Sequence, residues 1–168
     1  MDNTKATPAI TSSELNITTS DISIETSVDS PSGTFRESSP ANISVTTDNY
    51  SGYTLSIDSS LDNEYANKLV NSNETAVINS ISSVSTESDF TSNTWGIKPS
   101  KLEGDDNTNF IPAPSYDNTV TIETTSGSSI EPTVYTMSIA AKVDYSLPAD
   151  TYSNTYVVMA VGNPTLYT

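Results

Sequence analysis

The sequence predicts an all-β protein, an antiparallel β-sandwich, from three observations. Apolar residues recur mostly at every second position, the period of a strand with one face on a core and the other in water. The apolar runs are short and separated by clusters of Gly, Pro, Asn, Asp and Ser, each of which favours turns for its own conformational reason. Only one segment carries the three-to-four-residue spacing of an amphipathic helix. A length of 168 residues suits one ordinary domain. A hydrophobic content of 34% with a net charge of −15 pushes toward disorder. The alternating segments, rich in aromatic and β-branched residues, oppose it. They predict a single sandwich domain over 15–168 behind a flexible Thr/Ser/Pro leader over 1–14. A division near residue 60 is disfavoured because the N-terminal third has too few strands to bury a core alone.

Each element follows from its own pattern. Leu15 and Ile17, then Ile22 and Ile24, form two short alternating runs. Ile43 and Val45 alternate next. Asp48-Asn49-Tyr50-Ser51-Gly52 then leads into Tyr53, Leu55 and Ile57, which reads as a hairpin with a Gly-containing turn. Leu61, Tyr65 and Leu69 stand at i, i+4 and i+8, with Glu64 and Lys68 as an ion pair and Ser60 as a cap, so a short helix is expected near 60–70. The stretch 85–116 is rich in Asn, Asp and Pro and reads as long loops around short strand pieces. Thr119–Glu123 is a strand. Tyr135, Met137, Ile139, Ala141 and Val143 form the cleanest alternation in the chain. Thr155–Val161 is apolar on both faces and reads as its central partner. The connection between them, Asp144–Tyr152, is a loop marked by Pro148, which cannot donate to a central ladder. Many short strands in this order indicate an Ig-like, Greek-key arrangement.

Composition excludes whole classes of chemistry. With no His and no Cys, the chain cannot build a thiol nucleophile, a disulfide, a Cys/His zinc site or a Ser-His-Asp triad. Six basic residues face 21 acidic ones. The basic ones (Lys5, Arg36, Lys68, Lys98, Lys101, Lys142) are scattered, so no cationic patch is available to release counterions and nucleic acid is not an expected partner. No apolar run approaches the ~20 residues that cross a bilayer, so no membrane insertion is expected in this segment. Met1–Lys5 lacks the basic and apolar pattern of a signal peptide. High Ser, Thr and Asn, nine Tyr against three Phe, and a lone Arg suit an exported surface protein, so an extracellular, cell-surface location is expected, the export signal having been removed.

Three stretches carry a resemblance as a set: Asn93-Thr94-Trp95-Gly96-Ile97-Lys98-Pro99-Ser100-Lys101, Asn107 to Pro114, and Ala140 to Thr155. With Gly33-Thr34-Phe35 and Ser51 to Ile57, they resemble a repeat-like β-sandwich domain of large, adhesin-like bacterial cell-surface proteins, found in small host-attached candidate-phylum bacteria and some gut Gram-positives. The resemblance covers roughly residues 15 to 164. It implies a domain that follows a signal peptide and precedes stalk or anchoring segments, with no reaction assigned. The chain departs from the pattern at Asp150, where Gly is expected, which touches turn geometry. The Leu-Pro-Ala-x-Thr-Tyr loop is also similar to the end of secreted sandwich modules, including pilin-like and cell-wall-binding ones, a likeness of fold alone.

Candidate sites follow from residue chemistry. Asp105, Asn107 and Asn109 occupy positions 1, 3 and 5 of an oxygen-rich calcium loop. Phe110 and Tyr116 stand where an EF-hand needs Gly and Glu, which leaves another kind of surface calcium site or a solvated turn. Tyr50, Tyr53, Trp95 and Tyr116, with Tyr65, are candidates for an aromatic platform that stacks on sugar rings; the competing reading places Trp95 in the core. Lys142, Asp144, Asn154 and Asn163 supply the residue types of a Lys–Asn cross-link with a carboxylate shuttle, although alternation puts Lys142 on the exposed face. Carboxylate pairs are the only acid–base equipment, and Glu37, Glu103, Glu123 and Glu131 all sit in loop or strand-edge contexts, so no catalytic residue is assigned. Sequons at Asn16, Asn42, Asn49 and Asn73 are no more than chance gives in such a composition. The sequence thus points to a non-enzymatic surface domain for adhesion or recognition, with a glycan or cell-surface protein as partner and no cofactor, calcium at that loop being a candidate only. A purely structural spacer is the alternative, and a carbohydrate-active enzyme using a carboxylate pair the more distant one. The oligomeric state is left open.

Overall fold

The computed structural model describes residues 14–24, 30–103 and 109–164. Its strands are β1 (Leu15–Thr19), β2 (Thr34–Glu37), β3 (Ala41–Thr47), β4 (Tyr53–Ser59), β5 (Leu69–Asn71), β6 (Val77–Ser80), β7 (Thr94–Pro99), β8 (Val120–Thr124), β9 (Ser129–Val143), β10 (Tyr152–Ser153) and β11 (Tyr156–Gly162). The helical content among the described residues is one 3-10 turn, Glu87–Asp89. The fold is all-β in two sheets, as a sandwich requires. The larger runs β1-β3-β9-β7-β6-β5-β10, with β2 also on β9; the smaller runs β11-β4-β8.

The cleanest alternation in the sequence became the longest strand. Tyr135, Met137, Ala141 and Val143 of β9 turn one face onto the main core, meeting Tyr53, Leu55 and Ile57 of β4 and Ile122 of β8 from the opposing sheet. The two sheets are tied through this core by Tyr53 and Tyr135, whose hydroxyls lie 2.8 Å apart. Burial, and then the bond to Tyr53, push the Tyr135 phenol well above its ordinary pKa. Trp95 of β7 is buried beside them, and its indole N–H donates to the carbonyl of Asn67 at 3.1 Å.

The other face of β9 is covered as well over its C-terminal half, from Ser138 on. Ala140 is 0% exposed beneath Ile81, Phe90 and Phe110, with Phe35 packed against them. These are all three phenylalanines of the chain, and they meet edge to face with centroids 5.1, 5.9 and 5.3 Å apart. Lys142 was expected to be exposed. It does lie on the face opposite Ala141 and Val143, but this second cluster half-buries it and its Nζ donates to the Phe90 carbonyl at 2.9 Å. Lys98 closes the cluster from β7, 4.8 Å from the Phe110 ring centroid and 2.9 Å from Glu37.

Several other expectations are corrected. The segment 48–52 is not a hairpin turn: β3 pairs β1 and β9, whereas β4 pairs β11 and β8, so the turn carries the chain from one sheet to the other. Gly52 is required there. Its φ is +77°, and a Cβ would lie 2.4 Å from the Thr125 carbonyl oxygen. No helix forms near 60–70. Ala66 N–H donates to Asn63 and Lys68 N–H to Tyr65 in successive turns, and Leu69 is drawn into β5 opposite Ile78. β11 is not central and does not pair with β9; it is the edge of the smaller sheet. Ile22 and Ile24 pack against the core without forming a strand. Within 85–116, β7 is a full strand held between β9 and a parallel partner, β6.

Two outcomes test this picture. Phe90→Ala removes the ring that contacts both other phenylalanines and is expected to cost about 3–5 kcal/mol in urea unfolding; a loss below about 1 kcal/mol would mean the second cluster is not a core. Asp144, at the end of β9, accepts bonds from the Ser146 hydroxyl and amide at 2.6 and 2.9 Å and from the Asn93 amide at 3.1 Å. They hold its pKa at about 2. A folded value below the unfolded one contributes stability above the unfolded value of about 4 and loses it as pH falls through the folded one. The stability gap between the parent and Asp144→Asn is therefore expected to be constant near neutrality and to close between about pH 4 and about pH 2.

Candidate functional site

The four aromatic residues proposed as a platform are not brought together. Tyr53 and Trp95 lie in the main core, so neither offers a ring face to a ligand. Tyr50 and Tyr116 are exposed but sit at opposite ends of the smaller sheet. Tyr50 is in the turn before Tyr53, while Tyr116 precedes β8, whose Val120 pairs with Ile57 near the far end of β4. Asp105 and Asn107 lie outside the described residues. Asn109 is half-buried next to Phe110, which bridges to Ser85. No group of three or more acidic side chains gathers to hold a metal among the described residues. The cross-link residues are likewise separated: Asn163 bonds Ser51 and Thr125, and Asn154 bonds the 65–68 turn, both far along the chain from the partners of Lys142. Among the carboxylates, burial alone would raise Glu37, but hydrogen bonds from Lys98 and Ser138 and the Lys98 charge outweigh it and hold its pKa below the ordinary value. Glu123, on the other sheet, pairs with Lys101.

The fifth aromatic, Tyr65, does line a site. Where a helix was expected, the turns over 63–68 form one wall of an open cleft of about 320 Å³; the β5–β6 turn and the segment joining β10 to β11 form the others. The Asn154 side chain builds the first wall. Its amide donates to the carbonyls of Tyr65, Ala66 and Lys68 at 2.9, 3.2 and 2.7 Å, and its oxygen accepts the Thr155 N–H at 2.7 Å. The second wall depends on buried Asn71, whose oxygen accepts from Thr75 and Ala76 at 2.9 Å each. That cradle holds Glu74 at φ +58°, a left-handed conformation that is uncommon for a residue other than glycine. Asp150 accepts the Ser72 hydroxyl at 2.8 Å and so ties the 144–151 loop to the same turn.

Leu61, Val70 and the Tyr65 ring supply apolar surface within the cleft. Lys68 Nζ lies 5.6 Å from the centroid of that ring. Asn63 and Glu74 line the cleft beside Tyr65, and the Asn63 side-chain oxygen accepts the Tyr65 N–H at 2.9 Å. An aromatic face, an amide donor and a carboxylate acceptor around a shallow apolar patch suit a small polyhydroxylated ligand. The chain matches no family model, no curated protein and no solved structure. The site is therefore read from its own chemistry. Alternation could not have revealed it, because its residues come from three turns; the single sequence signal was Tyr65 on a segment of misleading helical spacing.

Replacing Asn154 with Ala removes a donor from three carbonyls at once; those of Tyr65 and Ala66 keep the Lys68 N–H and the Ser59 and Tyr156 hydroxyls, while that of Lys68 loses its 2.7 Å bond. The expected result is a loss of about 1–3 kcal/mol, with amide hydrogen exchange accelerated over 63–68 more than in β9. Uniform acceleration would mean that Asn154 does not specifically hold the cleft wall.

Proposed function

We propose that this chain is a non-enzymatic recognition domain of an extracellular bacterial surface protein, and that the cleft at Tyr65 takes a sugar residue of a cell-surface glycan. The observation that carries this reading is that Tyr65, Asn63 and Glu74 line one open cleft together with Leu61 and Val70. The resemblance to adhesin-like surface domains supports the location. The mechanism is recognition by loops on a stiff scaffold, with the sandwich fixing the three turns that form the walls. A formal charge of −15 and a carboxylate at the cleft favour a neutral sugar over an acidic one. The second reading is a spacer that binds nothing, and the burial of Tyr53 and Trp95 favours it.

Titration of the isotope-labelled domain with neutral and acidic oligosaccharides, followed by NMR, separates the two. The expected outcome is saturable shifts confined to 60–75 and 153–155 with neutral sugars, weakened about tenfold by Tyr65→Ala. Absence of shifts with every sugar would leave the spacer.

A further inference from the structure

We infer that Lys101 and Glu123 condense to an isopeptide bond, Nζ to Cδ, which ties the two sheets of the sandwich covalently. Three observations converge on this pair. Lys101 Nζ is in direct contact with Oε2 of the Glu123 carboxylate. That oxygen is shut off from water and accepts no hydrogen bond from any described residue. The strand that carries Glu123 is distorted in the way that turns its side chain inward. On β8, Thr121 pairs Ser56 while Glu123 pairs Leu55, so Ile122 is an extra residue in the ladder. Plain alternation after buried Ile122 would send Glu123 out to solvent. A bulge re-aims the residue that follows it, here to the side of fully buried Leu55, and the Glu123 side chain is 14% exposed. Burial first, then Tyr53 through its bond and its charge, and then Glu123 push the Tyr135 phenol up, so the carboxylate lies within electrostatic reach of the tyrosine pair between the sheets.

Lys101 reaches it from the other sheet. It stands just past β7, and Glu103 N–H donates to the Thr121 carbonyl at 3.4 Å, which lays the segment 101–103 along β8. Left as an ion pair, these groups take charge out of water while the carboxylate oxygen lacks the hydrogen bonds that make such burial tolerable. An amide is neutral and relieves that cost. The condensation balances with no further reactant. The ammonium passes a proton to the carboxylate, since burial disfavours both charges. The amine lone pair then attacks Cδ, forming the C–N bond. A second proton moves from the nitrogen to the hydroxyl of the tetrahedral carbon, the C–O bond breaks, and one water leaves. Holding the two groups in contact supplies the effective concentration that free amines and acids lack, and the half-exposed Lys101 side chain leaves the water a way out.

The bond is read directly from mass. The intact chain, unfolded in acid, is expected to weigh one water less than its sequence requires, and digestion to yield one branched peptide joining Lys101 to Glu123. Lys101→Arg and Glu123→Ala are expected at full sequence mass. Glu123→Gln keeps the electrophilic carbon with ammonia as leaving group, so it is expected to be lighter by one ammonia. The linkage closes the loop 101–123 in the unfolded chain, and the thermal midpoint of Lys101→Arg is expected to fall by roughly 5–10 °C. Full sequence mass in the unsubstituted chain, or a water loss that persists in Lys101→Arg, overturns the inference.

Discussion

The structure depends on the C-terminal half of β9, from Met137 to Val143, being covered on both faces. Its inward residues, Tyr135, Met137, Ala141 and Val143, face the opposing sheet, and at Ala140 its reverse face disappears under three phenylalanine rings. A strand covered on both sides fixes its neighbours. β3 and β2 share one edge of it, one after the other, and β7 takes the other edge from Met137 to Lys142. Because β7 is held there, Trp95 enters the core and the segments before and after it, which carry Phe90 and Phe110, close over the outside. A chain with 34% hydrophobic residues thereby concentrates its apolar burial around one strand and spends polar residues elsewhere.

The loops are held by asparagine. Asn49 donates to the carbonyls of Gly52 and Asn163, Asn163 in turn to Ser51 and Thr125, and Asn154 to three carbonyls of the 65–68 turn. Asn93, at φ +62°, exchanges bonds with Asp144 in both directions. An amide is suited to this because it donates and accepts at once, matching the paired demands of a turn that is not part of a ladder. In a protein without disulfides these side chains cross-link positions up to 114 residues apart, and each bonds backbone groups that lie outside the sheet ladders. The high Asn content thus has structural uses as well as solvating ones.

The same loops place the candidate site. The cleft at Tyr65 exists because Asn154 and Asn71 hold two turns open beside each other, and Glu74 adopts its left-handed backbone within the second. Its location at the end of a stiff sandwich gives loop residues fixed positions.

What the sequence determined by itself is the class of the fold and the position of its strongest strands. Alternation over 135–143, 43–45 and 53–57 specifies which side chains share a face, because that period is a local property of extended backbone. The absence of His and Cys likewise settled what chemistry is unbuildable. Tertiary structure decided the rest. Whether Asp48–Gly52 closes a hairpin or crosses between sheets depends on which edges of β3 and β4 are already occupied, which local pattern does not encode. The helical spacing of Leu61, Tyr65 and Leu69 lost to the pairing of Leu69 with Ile78 and to carbonyls taken by Asn154, a residue far away in sequence. Apolar character on both faces of 155–161 suggests a central strand, yet β11 is the end strand of the smaller sheet, because the order of strands is decided by how the two sheets assemble and not by local pattern. The cleft was illegible for the same reason: its walls come from three turns, and turns acquire their relative positions only when the sheets that carry them pack.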